Sequence, residues 1–372
     1  MASEKPKLNS RTRKLLLLVA ALIIAAAAVV VFLNRDAISS RFSAAADTPT
    51  SQSEPFTFES GSMQVSAAVG NGAALVSTNS IQLLDSAGKL KARQVLSMKT
   101  PALTVSDKTA AAFDVGGTEV CVAGLDGSIN EIENDDAVIT AAMNEDGWLA
   151  LCTEAAGYKG RVTVYNSDLK AVYQWDSGEG YLLSARVSPD GKYLAALCAA
   201  AEGSVVHIMS LSSEKEQASY TVAGKLVIDM FWPQDGRIFL LEQTGCEVID
   251  RSGASKGSYD FGGLYLTQYA FSNDGYAVLL LGKYRTGGTG SITAVDADCK
   301  LVGKAEVTSE LLSLSCSGRT IAALCQDGLH LYTQSLTQTA ADANVVGVRA
   351  VLVREKGDAL LISSYSAEVR SY

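Results

Sequence analysis

Short runs rich in Ala, Leu, Val and Tyr alternate along the chain with polar turns, most of which contain glycine. The turns recur about every 40 residues, which is the period of a supersecondary repeat unit. Their sequences are GNG (70–72), SDK (106–108), EDG (145–147), PDG (189–191), QDG (234–236), NDG (273–275), SG (317–318) and EKG (355–357). This period with strand-like flanks is typical of a β-propeller, so we predict an all-β fold in which each repeat forms one blade.

Residues 181–222 show most clearly how one repeat divides into strands. The sequence predicts an inner strand at YLLSARVS, a second at KYLAALCAA, a third at SVVHIMSL and an outer fourth at EQASYTV. The turns PDG and AEG join the first three strands, because Asp and Gly tolerate the positive φ that tight hairpins require. The same order predicts third strands at 81–85, 162–166, 246–250, 292–296 and 329–333.

The last repeat lacks a fourth strand of its own. Its strands are predicted at AVLVR (350–354), DALLISS (358–364) and AEVRSY (367–372). The segment EPFTFES (54–60) precedes the first inner strand, MQVSAAV (63–69), and can pair beside AEVRSY. Such pairing would close the ring and cover a strand edge that otherwise invites aggregation. We predict eight blades closed in this way, and seven if the first or last repeat is partial.

An apolar segment precedes the repeats at 15–33 (LLLLVAALIIAAAAVVVFL) and contains no charged or polar side chain. A helix of this length, at about 1.5 Å rise per residue, spans roughly 28 Å, close to the hydrocarbon core of a membrane. Five cations precede the segment against one anion, so the positive-inside rule predicts a cytoplasmic N-terminus. We expect a basic cytoplasmic tail at 1–14, a transmembrane helix at 15–33, a flexible linker at 34–53 and an extracellular propeller at 54–372.

A cleaved signal peptide is the alternative interpretation of this segment, since Ala44, Ala45 and Ala46 offer a small-residue cleavage site. The apolar stretch is longer than a usual signal core, and the alanines lie well beyond its end. We therefore favour an uncleaved single-pass anchor in the cell membrane. Both alternatives place the repeats outside the cytoplasm.

Charge is unevenly distributed along the chain. Residues 1–46 carry seven Lys or Arg and two Asp or Glu, a net charge of +5. The whole chain carries −9, so the remainder carries −14. An acidic exterior repels phosphate backbones and anionic headgroups, which argues against nucleic acid as a partner of the propeller.

The seven cysteines cannot all pair within one chain. Cys152, Cys198 and Cys325 occupy similar places in their repeats, a few residues after a turn glycine, where a small buried hydrophobe fits. Cys121 and Cys246 lie in strand-like runs, whereas Cys299 lies in a turn and Cys316 precedes one. No CxxC motif occurs, so we predict that the cysteines pack in the core and bind no zinc.

The sequences SPDGKYLAAL (188–197), FSNDGYAVLLL (271–281) and NEDGWLAL (144–151) resemble the WD40-like repeats of TolB-type propellers. Together with the single N-terminal span, the chain resembles a family of membrane-anchored propeller proteins of unknown function from clostridia and related Gram-positive bacteria. The resemblance implies the propeller fold and carries no functional residues. The chain departs from eukaryotic WD repeats, because it lacks the Gly-His dipeptide and Trp175-Asp176 is its sole Trp-Asp pair.

Candidate catalytic residues are scarce. The two histidines, His207 and His330, lie in third strands of different repeats, away from the predicted channel, and we expect both to be structural. No GxSxG, HExxH or EF-hand pattern occurs, and RTGGTG (285–290) is followed by a strand where a phosphate-binding loop needs a helix. We therefore predict no catalytic, cofactor-binding or metal-binding residues, and no enzyme activity.

Polar residues in inner strands are the remaining candidates. Arg186, Gln268 and Arg349 are polar exceptions among apolar neighbours, and on an alternating strand we expect them to point into the channel. Buried polar groups need partners, so these residues either form a binding ring or, as we favour, bond to water in the channel. The carboxylates of 131–136 and 175–180 lie near connections into inner strands, where a cation site or, more simply, solvated loops are expected. Phe231 and Trp232 are expected to pack in the core.

A protein without a catalytic constellation on a propeller scaffold suits a binding role. We expect a membrane-anchored extracytoplasmic module that binds an envelope protein or polymer. The alternatives are an extracytoplasmic metal-dependent hydrolase or lactonase, and a ligand sensor that signals through a membrane partner.

Overall fold

The computed structural model describes residues 49–233, 236–285 and 290–372, which contain 33 β-strands. The predicted cytoplasmic tail, transmembrane helix and most of the predicted linker lie outside the described residues. Within the described residues, no helix is long and apolar enough to cross a membrane. The strands form eight antiparallel sheets, so the predicted propeller has eight blades, and the alternative of seven is wrong.

Each blade is a meander whose first strand is innermost. The inner strands are β3 (Val65–Val69), β7 (Pro101–Val105), β11 (Val138–Met143), β15 (Tyr181–Val187), β19 (Val227–Phe231), β23 (Tyr265–Ser272), β27 (Leu311–Ser317) and β31 (Ala350–Val353). The second strands are β4 (Gly72–Val76), β8 (Thr109–Asp114), β12 (Leu149–Thr153), β16 (Tyr193–Ala200), β20 (Ile238–Glu242), β24 (Tyr276–Gly282), β28 (Thr320–Cys325) and β32 (Ala359–Ile362). We number the blades 1 to 8 in this order.

The outer half of each blade follows the same order. The third strands are β5 (Ser80–Leu84), β9 (Val120–Gly124), β13 (Arg161–Tyr165), β17 (Gly203–Ser210), β21 (Gly245–Ile249), β25 (Gly290–Val295), β29 (Gly328–Thr333) and β33 (Ser366–Ser371). The outer strands of blades 1 to 7 are β6 (Leu90–Val95), β10 (Ile129–Glu131), β14 (Ala171–Asp176), β18 (Glu216–Ala223), β22 (Ser255–Asp260), β26 (Leu301–Val307) and β30 (Gln338–Asp342). Every third strand predicted above is present within one or two residues.

Blade 8 takes its outer edge from the start of the propeller. The two short strands β1 (Ser51–Gln52) and β2 (Phe56–Thr57) both pair antiparallel with β33. β2 lies inside the segment 54–60, for which this pairing was predicted. β1 lies inside the predicted linker at 34–53, so the ordered part of the propeller begins earlier than the sequence indicated, because Ser51 pairs with Ser371.

The hydrophobic core lies between neighbouring blades. The second strands are its most buried part: β4, β12 and β20, for example, are buried along their whole length. Cys152 and Cys198 pack together with Ala and Val side chains between blades 3 and 4, and Cys325 packs between blades 6 and 7. The predicted packing role of these three cysteines is confirmed.

Two buried arginines hold the composite blade 8 to its neighbours, and they are the only buried cations among the described residues. Arg370 in β33 donates from Nη1 to Asp342 Oδ2 of blade 7 (2.6 Å) and to the Asn344 carbonyl (2.8 Å). Arg354, just after β31, pairs with Asp358 and donates to the Asn71 carbonyl of blade 1 (2.7 Å). Charge-assisted bonds therefore connect the closing blade on both sides.

Candidate binding surfaces

The central channel contains a cavity of about 340 Å³ that all eight blades line near the ends of their inner strands. Consecutive residues of one strand border it, such as Ser66, Ala67 and Ala68 of β3. The edge of each inner strand therefore faces the channel, while its side chains point toward the neighbouring blades. The expectation that alternate residues point into the channel is wrong for this reason.

Three side chains of adjacent inner strands meet between blades 4, 5 and 6. Arg186 of β15 pairs with Asp229 of β19 (Nη2 to Oδ1, 3.1 Å), and the hydroxyl of Tyr269 in β23 donates to the other carboxylate oxygen of Asp229 (3.0 Å). Burial and the nearby Asp229 carboxylate raise the pKa of the Tyr269 hydroxyl well above its usual range, so it stays a hydrogen-bond donor. The group forms a polar bridge between blades 4, 5 and 6, in which the buried Nε of Arg186 has no hydrogen-bond partner.

The three predicted channel residues therefore have different places. Arg186 borders the cavity, as predicted, but a carboxylate partners it. Gln268 donates from Nε2 to the Leu311 carbonyl of blade 7 (2.9 Å) and so connects two blades. Arg349 precedes β31, is exposed, and is not among the residues that line the cavity.

Sequence reasoning missed Asp229 and Tyr269 because the inner strands of blades 3 to 7 carry a β-bulge near their start. The register shift places the extra residue at Leu183, Ile228 and Thr267 in blades 4, 5 and 6. Arg186, Asp229 and Tyr269 stand three, one and two positions beyond these residues. Residues at non-equivalent repeat positions thus meet, and no alignment of the repeats would group them.

We expect Asp229→Ala to lower the free energy of unfolding by about 1–2 kcal/mol, because it leaves the Arg186 guanidinium and the Tyr269 hydroxyl without their acceptor in a partly buried site. Chemical denaturation measures the change. Tyr269→Phe removes one donor only and should cost less than Asp229→Ala. Equal effects of the two variants would contradict the bridge.

The cavity opens at the face that carries the inner-to-second and third-to-outer turns. We call this face the polar face. Asp107, Glu145 and Glu355 lie at the mouth of the cavity. Burial and the neighbouring Asp146 raise the pKa of the Asp107 carboxyl.

The third-to-outer turns are closed by side chains that accept hydrogen bonds from amides two and four residues later, as Asp85, Asn166, Asp250 and Asp296 do. These third-to-outer turns therefore form their hydrogen bonds internally, and three of the four are closed by a carboxylate.

The opposite face carries the second-to-third and outer-to-inner connections and exposes many apolar side chains. Of the 17 exposed large apolar side chains among the described residues, 11 lie in the connections of this face or within the first two residues of its inner strands. They are Met63, Val115, Tyr158, Tyr181, Leu226, Ile228, Tyr265, Tyr284, Leu312, Val346 and Tyr365. We call this surface the apolar face. Five of the other six lie on outer strands, and Tyr269 lies on the inner strand β23.

Cations stack on two of the tyrosines of the apolar face. Lys159 Nζ lies 4.8 Å from the ring centroid of Tyr181, and Arg285 Cζ lies 5.1 Å from that of Tyr265. Both rings nevertheless stay open to solvent, with 64% of Tyr181 and 39% of Tyr265 exposed. The two cations limit the movement of the rings but leave part of each ring exposed to solvent.

The loop carboxylates singled out from the sequence lie beside the apolar face. Asp176 accepts from Arg161 Nε (2.6 Å), and Asp136 lies 4.0 Å from Nη1 of the same guanidinium. The structure thus brings one carboxylate from each of the segments 131–136 and 175–180 to the same cation, Arg161. Phe231 stacks on Phe271 with centroids 4.8 Å apart and Trp232 is buried, as their predicted packing role requires.

The two histidines lie in blades 4 and 7, so they form no pair. His207 Nδ1 lies 3.1 Å from Glu216 Oε1, and its ring lies 5.2 Å from that of Trp175. His330 Nε2 lies 3.3 Å from Asp327 Oδ1. His207 has the packed environment expected of a structural histidine. His330 lies near a second potential metal ligand, the thiol of Cys325.

Solved structures of propellers resemble this chain in fold at low sequence identity. The C-terminal WD40 domain of Sif2 is 10% identical, with a TM-score of 0.60 over 86% of this chain and 99% of that domain. BamB from Moraxella catarrhalis is 12% identical, with a TM-score of 0.55 over 87% of this chain and 99% of BamB. AztD from Citrobacter koseri is 10% identical, with a TM-score of 0.51 over 75% of this chain and 85% of AztD.

At these identities the likeness concerns the fold alone. No curated protein sequence matches the chain. A family model covers residues 50–366, which is nearly the whole propeller, and by this match the chain belongs to the family of unknown function DUF5711.

Proposed function

We propose that this protein is a binding module that docks a partner protein on its apolar face. The observation that carries the proposal is the concentration of exposed apolar side chains on one face of the ring, whereas the other face carries polar turns, of which several third-to-outer turns bond internally. Apolar side chains concentrated on one face of a domain favour an interaction site, since their exposure to water costs free energy that a partner recovers.

The composition of the apolar face favours a protein as the partner. Tyrosine and methionine are enriched at protein interfaces, where an aromatic ring buries a large area at little cost in side-chain entropy. The face contributes five exposed tyrosines together with aliphatic side chains such as Leu226, Leu312 and Val346. Tyrosines alone would also suit the sugar rings of an envelope polymer, but the aliphatic residues offer such a ligand little.

The anchor and the location belong to the same proposal. The uncharged apolar segment 15–33 and the five cations before it support a single-pass anchor with a cytoplasmic N-terminus and an extracellular propeller. The chain enters the propeller at the polar face, because the Thr50 amide bonds to the Ser371 carbonyl at the end of β33. With an extracellular propeller, the proposed partner is an envelope protein.

Site-specific photocrosslinking in intact cells tests the proposal. A photoreactive residue is placed at Tyr181, Tyr265 or Tyr284 of the full-length chain, and in a matched set at Ser167, Ser252 or Ser335, which are exposed in turns of the polar face. We expect discrete adducts with one protein from the first set and none from the second.

Three outcomes would contradict the proposal. Equal adducts from both faces would show that contact is unspecific, and adducts from the polar face alone would place the site at the channel mouth. A heterogeneous adduct that glycan-degrading enzymes remove would identify an envelope polymer and overturn the choice of a protein partner.

A further inference from the structure

A two-residue hairpin in blade 7 gathers three potential metal ligands. β28 and β29 pair so that Cys325 stands opposite Gly328 and Ala323 stands opposite His330. Residues opposite each other share a face of the sheet, and so do residues two apart on one strand. Cys325 and His330 are therefore diagonal neighbours on one face, and Asp327 occupies the turn between their strands.

The ligand atoms of this group are close together. One atom each from Cys325, Asp327 and His330 lie within 4.8 Å of one another, and this is the only such group among the described residues. The hydroxyl of Ser309 donates to Asp327 Oδ1 and fixes the carboxylate from the connection between blades 6 and 7. The Gln326 amide bonds to the Glu310 carbonyl (3.0 Å) and fixes the turn to the same connection.

The three side chains differ in burial, from the buried Cys325 to the half-exposed Asp327. The Cys325 thiol lies in the core between blades 6 and 7, while 23% of the His330 side chain and 49% of the Asp327 side chain are exposed. A bound ion would thus have one side in a low-dielectric wall and the other open to solvent at the border of the apolar face. Three protein ligands with one open position is an arrangement that Zn²⁺ accepts.

We propose that Cys325, Asp327 and His330 form a binding site for a divalent transition metal ion, for which Zn²⁺ is the best match. A thiolate and an imidazole select borderline ions, whereas Ca²⁺ and Mg²⁺ prefer oxygen ligands alone. Zinc bonds of about 2.0–2.3 Å require the three atoms to approach by a small side-chain movement. The site departs from the expectation that both histidines are structural and that the chain binds no metal.

The site also explains why the two histidines differ. Both lie at the middle of third strands and both have a carboxylate neighbour, but among the described residues only His330 belongs to a group that includes a thiol. His207 instead packs against the ring of Trp175. His207 is therefore a matched control within the same chain.

Cobalt substitution of the metal-free, full-length protein in detergent tests the site. We expect one equivalent of Co²⁺ to give a thiolate-to-cobalt charge-transfer band and the visible bands of four-coordinate cobalt, and one equivalent of Zn²⁺ to abolish them. His330→Gln should weaken Co²⁺ binding by at least about tenfold, and Cys325→Ser should remove the charge-transfer band. His207→Gln should leave the spectrum and the affinity unchanged.

The proposal is overturned if the protein binds no stoichiometric Co²⁺ or Zn²⁺, or if His330→Gln and His207→Gln have equal effects. Because Cys325 is buried, circular dichroism must confirm that Cys325→Ser folds. If it does not fold, the comparison of the two histidine variants decides, since neither side chain lies in the core.

Discussion

Arg370→Ala is expected to lower the free energy of unfolding by about 3–5 kcal/mol, because it leaves a buried carboxylate unpaired. Arg370 joins blade 8 to blade 7 through Asp342, whose side chain is only 2% exposed, and it also contacts Glu368. The hydroxyl of Tyr372 donates to the same oxygen of Asp342 (2.8 Å) and cannot replace the charge. Denaturant titration followed by far-ultraviolet circular dichroism measures the loss.

The pH dependence of this variant gives a second readout. Burial raises the pKa of the Asp342 carboxyl, but bonds from the Asn344 amide, the Tyr372 hydroxyl and Arg370 outweigh burial and hold the pKa below its ordinary value. A carboxylate with a lowered folded-state pKa stabilises the fold above its unfolded pKa, near 4, and this contribution is lost as the pH falls through the folded-state value. Arg370→Ala should reduce this loss of stability in acid.

Arg93→Ala is the control for Arg370→Ala. Arg93 pairs with Glu59 at 2.8 Å, but the two side chains are 38% and 55% exposed. An exposed pair is worth about 1 kcal/mol or less. Equal losses of stability in the two variants would show that the buried contact does not hold the closing blade to blade 7.

Gly303→Val should lower the free energy of unfolding by about 3 kcal/mol, at the upper end of the usual cost of overpacking. Gly303 lies in β26, where a Cβ atom would stand 2.1 Å from the Ser335 carbonyl oxygen in the next blade. The obstacle is backbone, so blades 6 and 7 would have to separate. Gly257 meets the Asp298 carbonyl of the next blade in the same way, which makes close outer packing a repeated feature.

Gly178→Val is the matched control for Gly303→Val. Nothing lies within 4 Å of a Cβ atom at Gly178, and its φ does not fall in the left-handed region. Thermal and denaturant unfolding should show little change for this variant. A similarly small effect at Gly303 would mean that the blade spacing adapts freely and that the close contact does not limit the packing.

The repeat pattern predicted the strands because the buried second and third strands of each blade are short apolar runs between turns. A short apolar run between turns was sufficient to place β16 and β17, for example, to within a few residues. Closure by the N-terminal strand followed from a simple count of strands in the last repeat. These features depend on residues near one another in sequence.

The contacts that distinguish blades from one another could not be predicted in this way. Arg370 looked like an ordinary polar residue of a terminal strand, and only the fold brings it to Asp342. The bulges displaced the channel residues, so Arg186 was found without Asp229. The apolar face is likewise built from separate blades, with Tyr181 in blade 4 and Leu226 just before the inner strand of blade 5, so no single repeat reveals it.

The central claim is that the apolar face binds a protein, and the affinity of the crosslinked partner tests it most directly. The partner, once identified and purified, is titrated against the full-length protein in detergent and against a variant with Tyr181→Ser, Tyr265→Ser and Tyr284→Ser. We predict at least tenfold weaker binding, a loss of about 1.4 kcal/mol or more, while Asp168→Ser on the polar face leaves the Kd unchanged. An unchanged Kd for the triple variant, with its fold intact, would contradict the claim.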